Sequence, residues 1–589
     1  MIMKKYIVKY MLAGLLLSSC NESSFLKETP MDFNSTENSF STETDFNMSV
    51  NDLYNLFRLE FYSVDENTPF DYIYCTDLIY DGEPGTSNRG GNLSAGLNPT
   101  ASIPKTHWNN LYKIIAEANT ILTRLEKTDF AEDSKTALEA KARFFRGIAY
   151  RTLGYLYGGV PLVLEEVSTP KTDYVRSTRE ETLNQAIEDV KFAAEHLADI
   201  TKVEDGEISS PAAYHLLSEL YLAVGKNQEA VDAATKVISN PALALMQNRF
   251  GSRATETPGD VYWDLFRMNN QNRSAGNTEG IWVIQYETNL PGGASSTASL
   301  KNGGNYMLER HCAPMVRDVK LRVKEVVNGK EVTKDYAAFN WPVGDYTGGR
   351  GIGWGISTKY FSNTIWEDDF TGDMRNANHN FVRKFAVHKE SFRTKFGIDT
   401  IDVDNPPANL IVGQGASMTI PGRYLYAYQS KATTPYNHPD ELYSDKSTYL
   451  LKSLAGTTYV DQYMFRLAET YLLRAEAYLK LNQKDKAADD INVVRGRAHA
   501  KPVDASKVDI DYILDERMRE LGVEEKRRLT LVRTGKLYER VVKCNPNCAN
   551  AATNGDGVGM LEKYELYPIP QSAIEANIGA TLEQNPGYE

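Results

Sequence analysis

Two short helical units, 257 residues apart and written in the same register, constrain this chain more than any other feature. The later one runs Ala468-Glu-Thr-Tyr-Leu-Leu-Arg-Ala-Glu-Ala-Tyr-Leu-Lys-Leu481 and, after a short polar turn, Ala487-Ala-Asp-Asp-Ile-Asn-Val-Val-Arg495. Within each run Tyr471, Ala475, Tyr478, Ala487, Ile491 and Val494 recur three to four positions apart, which sets them on shared helix faces. Tyr214, Ser218, Tyr221, Ala230, Ala234 and Val237 repeat the pattern upstream. Units so distant cannot be tandem neighbours in sequence. They predict a scaffold assembled from both ends of the chain around a long non-repetitive insertion.

In both units small residues let two helices approach while tyrosines fill the groove between them, the arrangement of tetratricopeptide repeats. The expected fold is mainly α: a tetratricopeptide-like helical scaffold with a large loop-rich insertion containing short strands. Other stretches agree. Thr44 to Phe57 carries an apolar period with Asp45 at its start, and His107 to Leu125 and Ser134 to Tyr150 read as helices. Ser177-Thr-Arg-Glu180 is the expected capping box ahead of Leu183, Ile187, Val190 and Ala194. From about 241 to 455 the helical period fades, Gly, Asn, Thr and aromatic residues dominate, and Ile281 to Tyr286 reads as a short strand. The Gly- and Asn-rich stretch from Asp81 to Pro104 is a loop long enough to favour a functional role.

At the N-terminus Lys4, Lys5 and Lys9 precede Met11-Leu-Ala-Gly-Leu-Leu-Leu17, an apolar run too short to span a bilayer but suited to secretion. It ends in Leu17-Ser-Ser-Cys20, which resembles a bacterial lipobox. Residues 1–19 are thus expected to be a lipoprotein signal peptide and Cys20 the lipid attachment site. Buried acyl chains contribute about 0.8 kcal/mol per methylene, so a multiply acylated Cys20 anchors stably. Residues 20–41, polar and rich in Ser, Thr and Asn, fit a flexible tether.

The net charge of −13 disfavours generic attraction to nucleic acid or anionic lipid. No G-x-S-x-G elbow, P-loop or H-E-x-x-H helix is present, and none of the eight His lies in a ligand-spaced cluster, so no metal, cofactor or catalysis is expected. Asp515, Glu516, Glu520, Glu524 and Glu525 are interleaved with Arg three to four apart, a pattern of ion pairs that holds carboxyl pKa values down, against general-acid duty. A glycan hydrolase would need two carboxyl groups about 5 to 9 Å apart across a cleft, and no stretch singles one out.

Cys544-Asn-Pro-Asn-Cys548 can close a small disulfide ring in an exported protein, worth about 2 kcal/mol, whereas a zinc site would lack nearby ligands. Cys75 and Cys312 read as buried thiols, or as a pair of their own. Recognition falls to aromatic rings. Trp or Tyr faces suit the C–H face of a sugar, and Asn, Asp, Arg and backbone amides suit its hydroxyls. A half-covered ring contributes on the order of 2–3 kcal/mol at about 25 cal/mol per Å². Two or three rings reach millimolar to micromolar affinity. Trp341 with Asp345 and Tyr346, and Trp354 within Arg350-Gly-Ile-Gly-Trp-Gly355, sit in Gly-rich context that leaves large side chains exposed, and are the candidate ligand-binding residues. Trp108, opening an amphipathic helix, reads as structural.

Several stretches together resemble the SusD/RagB family of outer-membrane nutrient-binding lipoproteins. Arg466 to Tyr478 is similar to the family's central helix and Ile491 to Ala498 to its partner; Ile513 to Leu521, Lys526 to Arg528 and Leu531 to Lys536 resemble the next block. Tyr567-Pro-Ile-Pro570 and Gln584-Asn-Pro-Gly-Tyr588 resemble the closing segment, and Trp108 to Asn119, Arg143 to Tyr150 and Tyr157-Gly-Gly-Val-Pro-Leu162 add to the match. The usual Glu-Gly-x-Arg phrase is replaced by Gly522-Val-Glu-Glu-Lys-Arg527.

The resemblance implies a single domain over 42–589, with scaffold at about 42–240 and 456–589 and a ligand-binding insertion at about 241–455. It also implies an outer-membrane, cell-surface lipoprotein that binds oligosaccharide or polysaccharide and passes it to a SusC-like TonB-dependent transporter. A RagB-like member would capture oligopeptides instead, and the two helical units could face the transporter. No Trp or Tyr lies between Gly82 and His107, where starch binders are expected to place stacking rings, which favours a different ligand.

Overall fold

The computed structural model describes residues 40–588 except 64, 66, 84, 86, 291–294, 298–305, 414–421 and 551–556. The signal peptide, Cys20 and the tether up to residue 39 lie outside the described residues.

Helix α1 (Glu43–Phe61) starts on a capping box: Thr42 Oγ1 accepts from the Asp45 amide while the Asp45 carboxylate accepts from the Thr42 amide at 2.8 Å. Its Phe46, Val50, Leu53 and Phe57 are buried at helical spacing. There follow α2 (Ser102–Leu125), α3 (Glu132–Leu156), α4 (Arg179–His196), α5 (Ser210–Ala223) and α6 (Asn227–Ile238), each packed on its predecessor. The cap of α4 is Thr178 with Glu181, one residue later than the sequence reading placed it, because the Ser177 amide is tied to the Val160 carbonyl and Thr178 holds the extended cap conformation.

The repeat pattern is realised on both sides of the insertion. Helices α7 (Leu467–Lys480) and α8 (Lys484–Arg497) form the second hairpin, and α7 packs directly against α6, so units far apart in sequence are neighbours in space. Their turns match in detail. Gly225 and Asn482 occupy the same register position, and both lie in the left-handed region at φ +75° and +58°. The next amide then returns to a tyrosine carbonyl, Lys226 to Tyr221 and Gln483 to Tyr478. Gly adopts that conformation freely and Asn tolerates it, which is why a β-branched residue fits neither turn. Leu222, Ala230, Val231, Leu473 and Ala477 form the buried seam between the hairpins.

The insertion is closed at its root. Strand Gly280–Ile284 pairs antiparallel with Gln462–Arg466, and Trp282 on the first strand packs among Phe57, Phe144 and Phe465. Beyond the root lies a long hairpin, Val319–Val327 with Lys330–Ala337, turned by Asn328-Gly329 at positive φ and flanked by Leu410–Val412. A second core of Val319, Phe339, Phe385, Phe392, Tyr426 and Tyr428 lies beneath it.

Helices α9 (Ile510–Glu520), α10 (Arg527–Arg533) and α11 (Leu537–Cys544) complete the described helical body with the acidic and basic residues singled out above. Those residues are ion-paired in the interior. Glu520 meets Arg375, Arg466 and Arg497, Glu516 meets Arg375, Arg495 and Arg519, and Arg466 also reaches Glu279 at 2.6 Å and Glu524 at 2.7 Å. Arg375 comes from the insertion and Glu279 from its entry, so the network fastens insertion to scaffold. Cys75, Cys312, Cys544 and Cys548 are buried free thiols, so no Cys544 to Cys548 ring is formed.

Candidate functional site

The Gly-rich stretch holding Trp341, Asp345 and Tyr346 folds into a short loop. Val343 bridges to Gly349, so Trp341 and Arg350 flank its base and Tyr346 stands near its tip. Asp345 is fully buried. Its carboxylate accepts from the Thr347 amide at 2.8 Å, from the Thr347 hydroxyl and from His388 Nε2, so it braces the loop from inside and offers no face to a ligand.

Two other loops are laced to this one through Gly344. Its amide donates to the Tyr449 carbonyl at 2.6 Å and its carbonyl accepts from the Tyr436 amide at 3.1 Å. A side chain here would meet Leu451 at 3.0 Å and Tyr443 at 3.1 Å, so glycine permits the close approach. The lacing gathers Tyr346, Tyr436, Tyr449 and His388 into one chain of rings, with centroids 5.7 Å (Tyr346 to Tyr436), 5.2 Å (Tyr436 to Tyr449) and 5.3 Å (Tyr449 to His388) apart. All four remain partly exposed. Burial, then Asp345, pushes the Tyr346 and Tyr436 hydroxyls above their ordinary pKa, so both stay protonated and able to donate.

The backbone under this cluster is strained. Tyr436 and Tyr449 sit at φ +60° and +56°, a region that a bulky L-residue adopts at a cost of roughly 1–2 kcal/mol. The surroundings impose it. Arg253 donates to the Pro435 carbonyl while its Nε holds Glu256 at 2.7 Å, fixing the turn that presents Tyr436. Strain of this kind is held only where the surroundings over-determine the backbone, here by the bonds at Gly344 and Pro435.

The structure separates the other predicted residues. Trp354, expected in the open, is 9% exposed, with Arg89 and Arg310 over its ring at 4.9 and 5.1 Å and His311 at its edge, because the neighbouring glycines bring the chain in against Ala313 and Arg423. Trp341 is half-buried between the two cores, with Arg350 and Arg317 near its ring at 4.4 and 5.6 Å. Trp108 is buried against Tyr112 and Tyr157, as a structural residue should be. Sequence reasoning did not single out Tyr436, Tyr449 or His388, which carry no local motif but stand beside Tyr346.

A cavity of about 420 Å³ opens elsewhere, between α2, residues 161–174 and residues 573–582, and is mainly apolar. Asn119 is engaged with Arg146 and the Val163 carbonyl, Asn577 with Tyr174 and Glu166 with Arg124, while Glu165 and Lys171 lie exposed at its edge. No group of three or more metal-ligating side chains occurs among the described residues.

Comparison with known proteins places this chain in a family. The SusD family model matches residues 278–588, and a model described as starch-binding, associating with the outer membrane, matches residues 24–222. The chain belongs to the SusD family. It is 25% identical over 603 residues to the SusD-like protein P25 of Formosa agariphila, covering 97% of this chain and 96% of that one. It is also 37% identical over 140 residues to the starch-binding protein SusD of Bacteroides thetaiotaomicron, 23% of this chain. Among solved structures, a laminarin-binding SusD-like protein superposes with TM-score 0.63 at 20% identity, covering 92% of this chain and 99% of its own. Surface glycan-binding protein A from Bacteroides thetaiotaomicron, in complex with laminarihexaose, superposes with TM-score 0.63 at 17% identity, over 92% and 99%. These neighbours establish the mainly helical, tetratricopeptide-like fold. No helix among the described residues is long and apolar enough to cross a membrane.

Proposed function

We propose that this SusD-family protein is a cell-surface lipoprotein, anchored through Cys20 to the outer membrane, that holds an oligosaccharide or polysaccharide on the tyrosine cluster and passes it to a SusC-like TonB-dependent transporter. The observation that carries the reading is the set of partly exposed rings Tyr346, Tyr436 and Tyr449, two of them on strained backbone. Sugar rings stack on such faces by burying C–H surface, while the tyrosine hydroxyls, His388 and nearby backbone amides meet the hydroxyls. Two or three rings give the modest affinity that permits release to a transporter. Trp341 borders the site; Asp345 acts by holding the loop in shape.

No catalytic step is assigned. Burial alone would raise the Glu516 carboxyl, but Arg375, Arg495 and Arg519 hold it down to about 2, the opposite of a general acid. The two helical units would hold the fold and face the transporter. Glycan binding is tested by affinity electrophoresis against a polysaccharide panel, in which Tyr436→Ala and Tyr449→Ala abolish retardation. The transporter step is tested by co-purification from detergent-solubilised outer membrane, where recovery of the protein with no TonB-dependent transporter contradicts it.

A further inference from the structure

The base of the site loop carries donors that the chain itself does not satisfy. Arg350 Nε and Nη1 and the indole Nε1 of Trp341 are buried and have no hydrogen-bond partner. A buried polar group left in that state costs about 1–3 kcal/mol, more for a charged one, so an acceptor from outside the chain would relieve that cost. Arg350 is also fixed in place. Its stem packs on Gly456, at φ +120°, where any side chain would meet Arg350 Cγ at 2.5 Å.

The charges around it complete the case. Arg310, Arg317 and Arg350 crowd together, and burial followed by Arg310 pushes the Arg350 guanidinium down to about 10. The carboxylates within reach are already engaged. Glu309 accepts from the Arg350 amide at 2.8 Å, the Thr434 amide at 3.3 Å and His438 Nε2 at 2.9 Å. Asp318 faces Arg317 at 3.4 Å. In a chain of net charge −13, Arg317 and Arg350 beside Trp341, with Arg310 close to Arg350 and two carboxylates engaged, form a local cationic pocket.

We propose that this pocket, formed by Arg350, Arg317 and the Trp341 indole N–H, receives an anionic substituent of the glycan, a sulfate half-ester or a uronate carboxylate, while adjoining sugar rings lie along Tyr346, Tyr436 and Tyr449. The inference rests on the tyrosine reading above and names its substrate class: an acidic glycan. The geometry suits it, since Arg350 and Trp341 stand four and five residues from Tyr346, at most roughly 13–17 Å along the chain, so one short oligosaccharide reaches both. Charge-assisted bonds from guanidinium to oxyanion are about twice as strong as neutral ones, and the planar cation also stacks on the indole.

The test uses matched polymers: polygalacturonate with its carboxyl-reduced form, and ι-carrageenan with its desulfated form, read by affinity electrophoresis. The charged member of at least one pair is expected to bind at least 10-fold more tightly than its neutral partner. Which pair shows the difference separates carboxylate from sulfate. Arg350→Gln and Arg317→Gln are expected to equalise the two members, and Arg317, half-exposed, keeps the test sound if Arg350→Gln does not fold. The inference is overturned if neither charged polymer exceeds its neutral partner, or if folded variants keep the full difference. The tyrosine reading fails separately, when Tyr436→Ala binds the polymers as the wild type does.

Discussion

Gly344 donates its amide to the carbonyl of Tyr449 at 2.6 Å, and through its own carbonyl it also takes the amide of Tyr436. One residue without a side chain thus aligns three loops and their rings. Gly344→Ala would place a methyl 3.0–3.1 Å from Leu451 and Tyr443, so the loops must part. We expect glycan affinity to fall several-fold while the melting temperature drops by only a few degrees, measured by titration calorimetry and thermal denaturation. Unchanged affinity would show that the lacing does not shape the site.

The strained tyrosines give a separation of stability from binding. At φ +60° and +56° glycine is at ease and alanine is not. Tyr436→Gly should therefore be about 1 kcal/mol more stable than Tyr436→Ala, with the same ordering at Tyr449, while all four variants lose binding alike. Urea midpoints measure the first and affinity electrophoresis the second.

The buried carboxylates set the acid limit. Burial raises Glu469, Glu476 and Glu516, but Arg517 and His215, Arg533, and Arg375 with Arg495 and Arg519, respectively, hold each down to about 2 from an ordinary 4.5. Because the folded value is the lower one, their contribution is present above pH 4.5 and is lost as pH falls towards 2. Unfolding free energy from urea titrations should be steady near neutrality and drop steeply over that window. Arg466→Met, which takes one of three arginines from Glu520 and one of two from Glu279 inside the buried network, should cost about 3–5 kcal/mol at pH 7.

Helix-hairpin docking across the 257-residue gap is measurable as coupling. Leu473 and Val231 share the seam between α7 and α6. Leu473→Ala should cost about 2–5 kcal/mol, and the double variant with Val231→Ala should depart from additivity by at least about 0.5 kcal/mol.

The scaffold was legible because its signal is local and periodic. Tyr214 and Tyr471 stay at the groove rim while Ser218, Ala475, Ala234 and Ile491 go under, as helical spacing requires. The ion network around Glu520 was legible in kind, since acids and arginines alternate along α9, but its partners Arg375 and Glu279 lie far off in sequence. The site was legible only in part. Tyr346 was singled out from its Gly-rich loop, but Tyr436 and Tyr449, which stand beside it in the proposed site, join it through backbone bonds at Gly344 that leave no residue pattern. Trp354 shows the converse: glycines that could have exposed it instead let the chain press close, and arginines cover its ring.

The proposed meeting point of glycan and protein is the tyrosine cluster. Affinity electrophoresis of the wild type and the Tyr436→Ala/Tyr449→Ala double variant, over neutral and acidic polysaccharides, tests it most directly. At least one polysaccharide is expected to retard the wild type, and the folded double variant is expected to migrate as if the polysaccharide were absent. Equal retardation of both proteins, or retardation of neither by any polysaccharide, would contradict it.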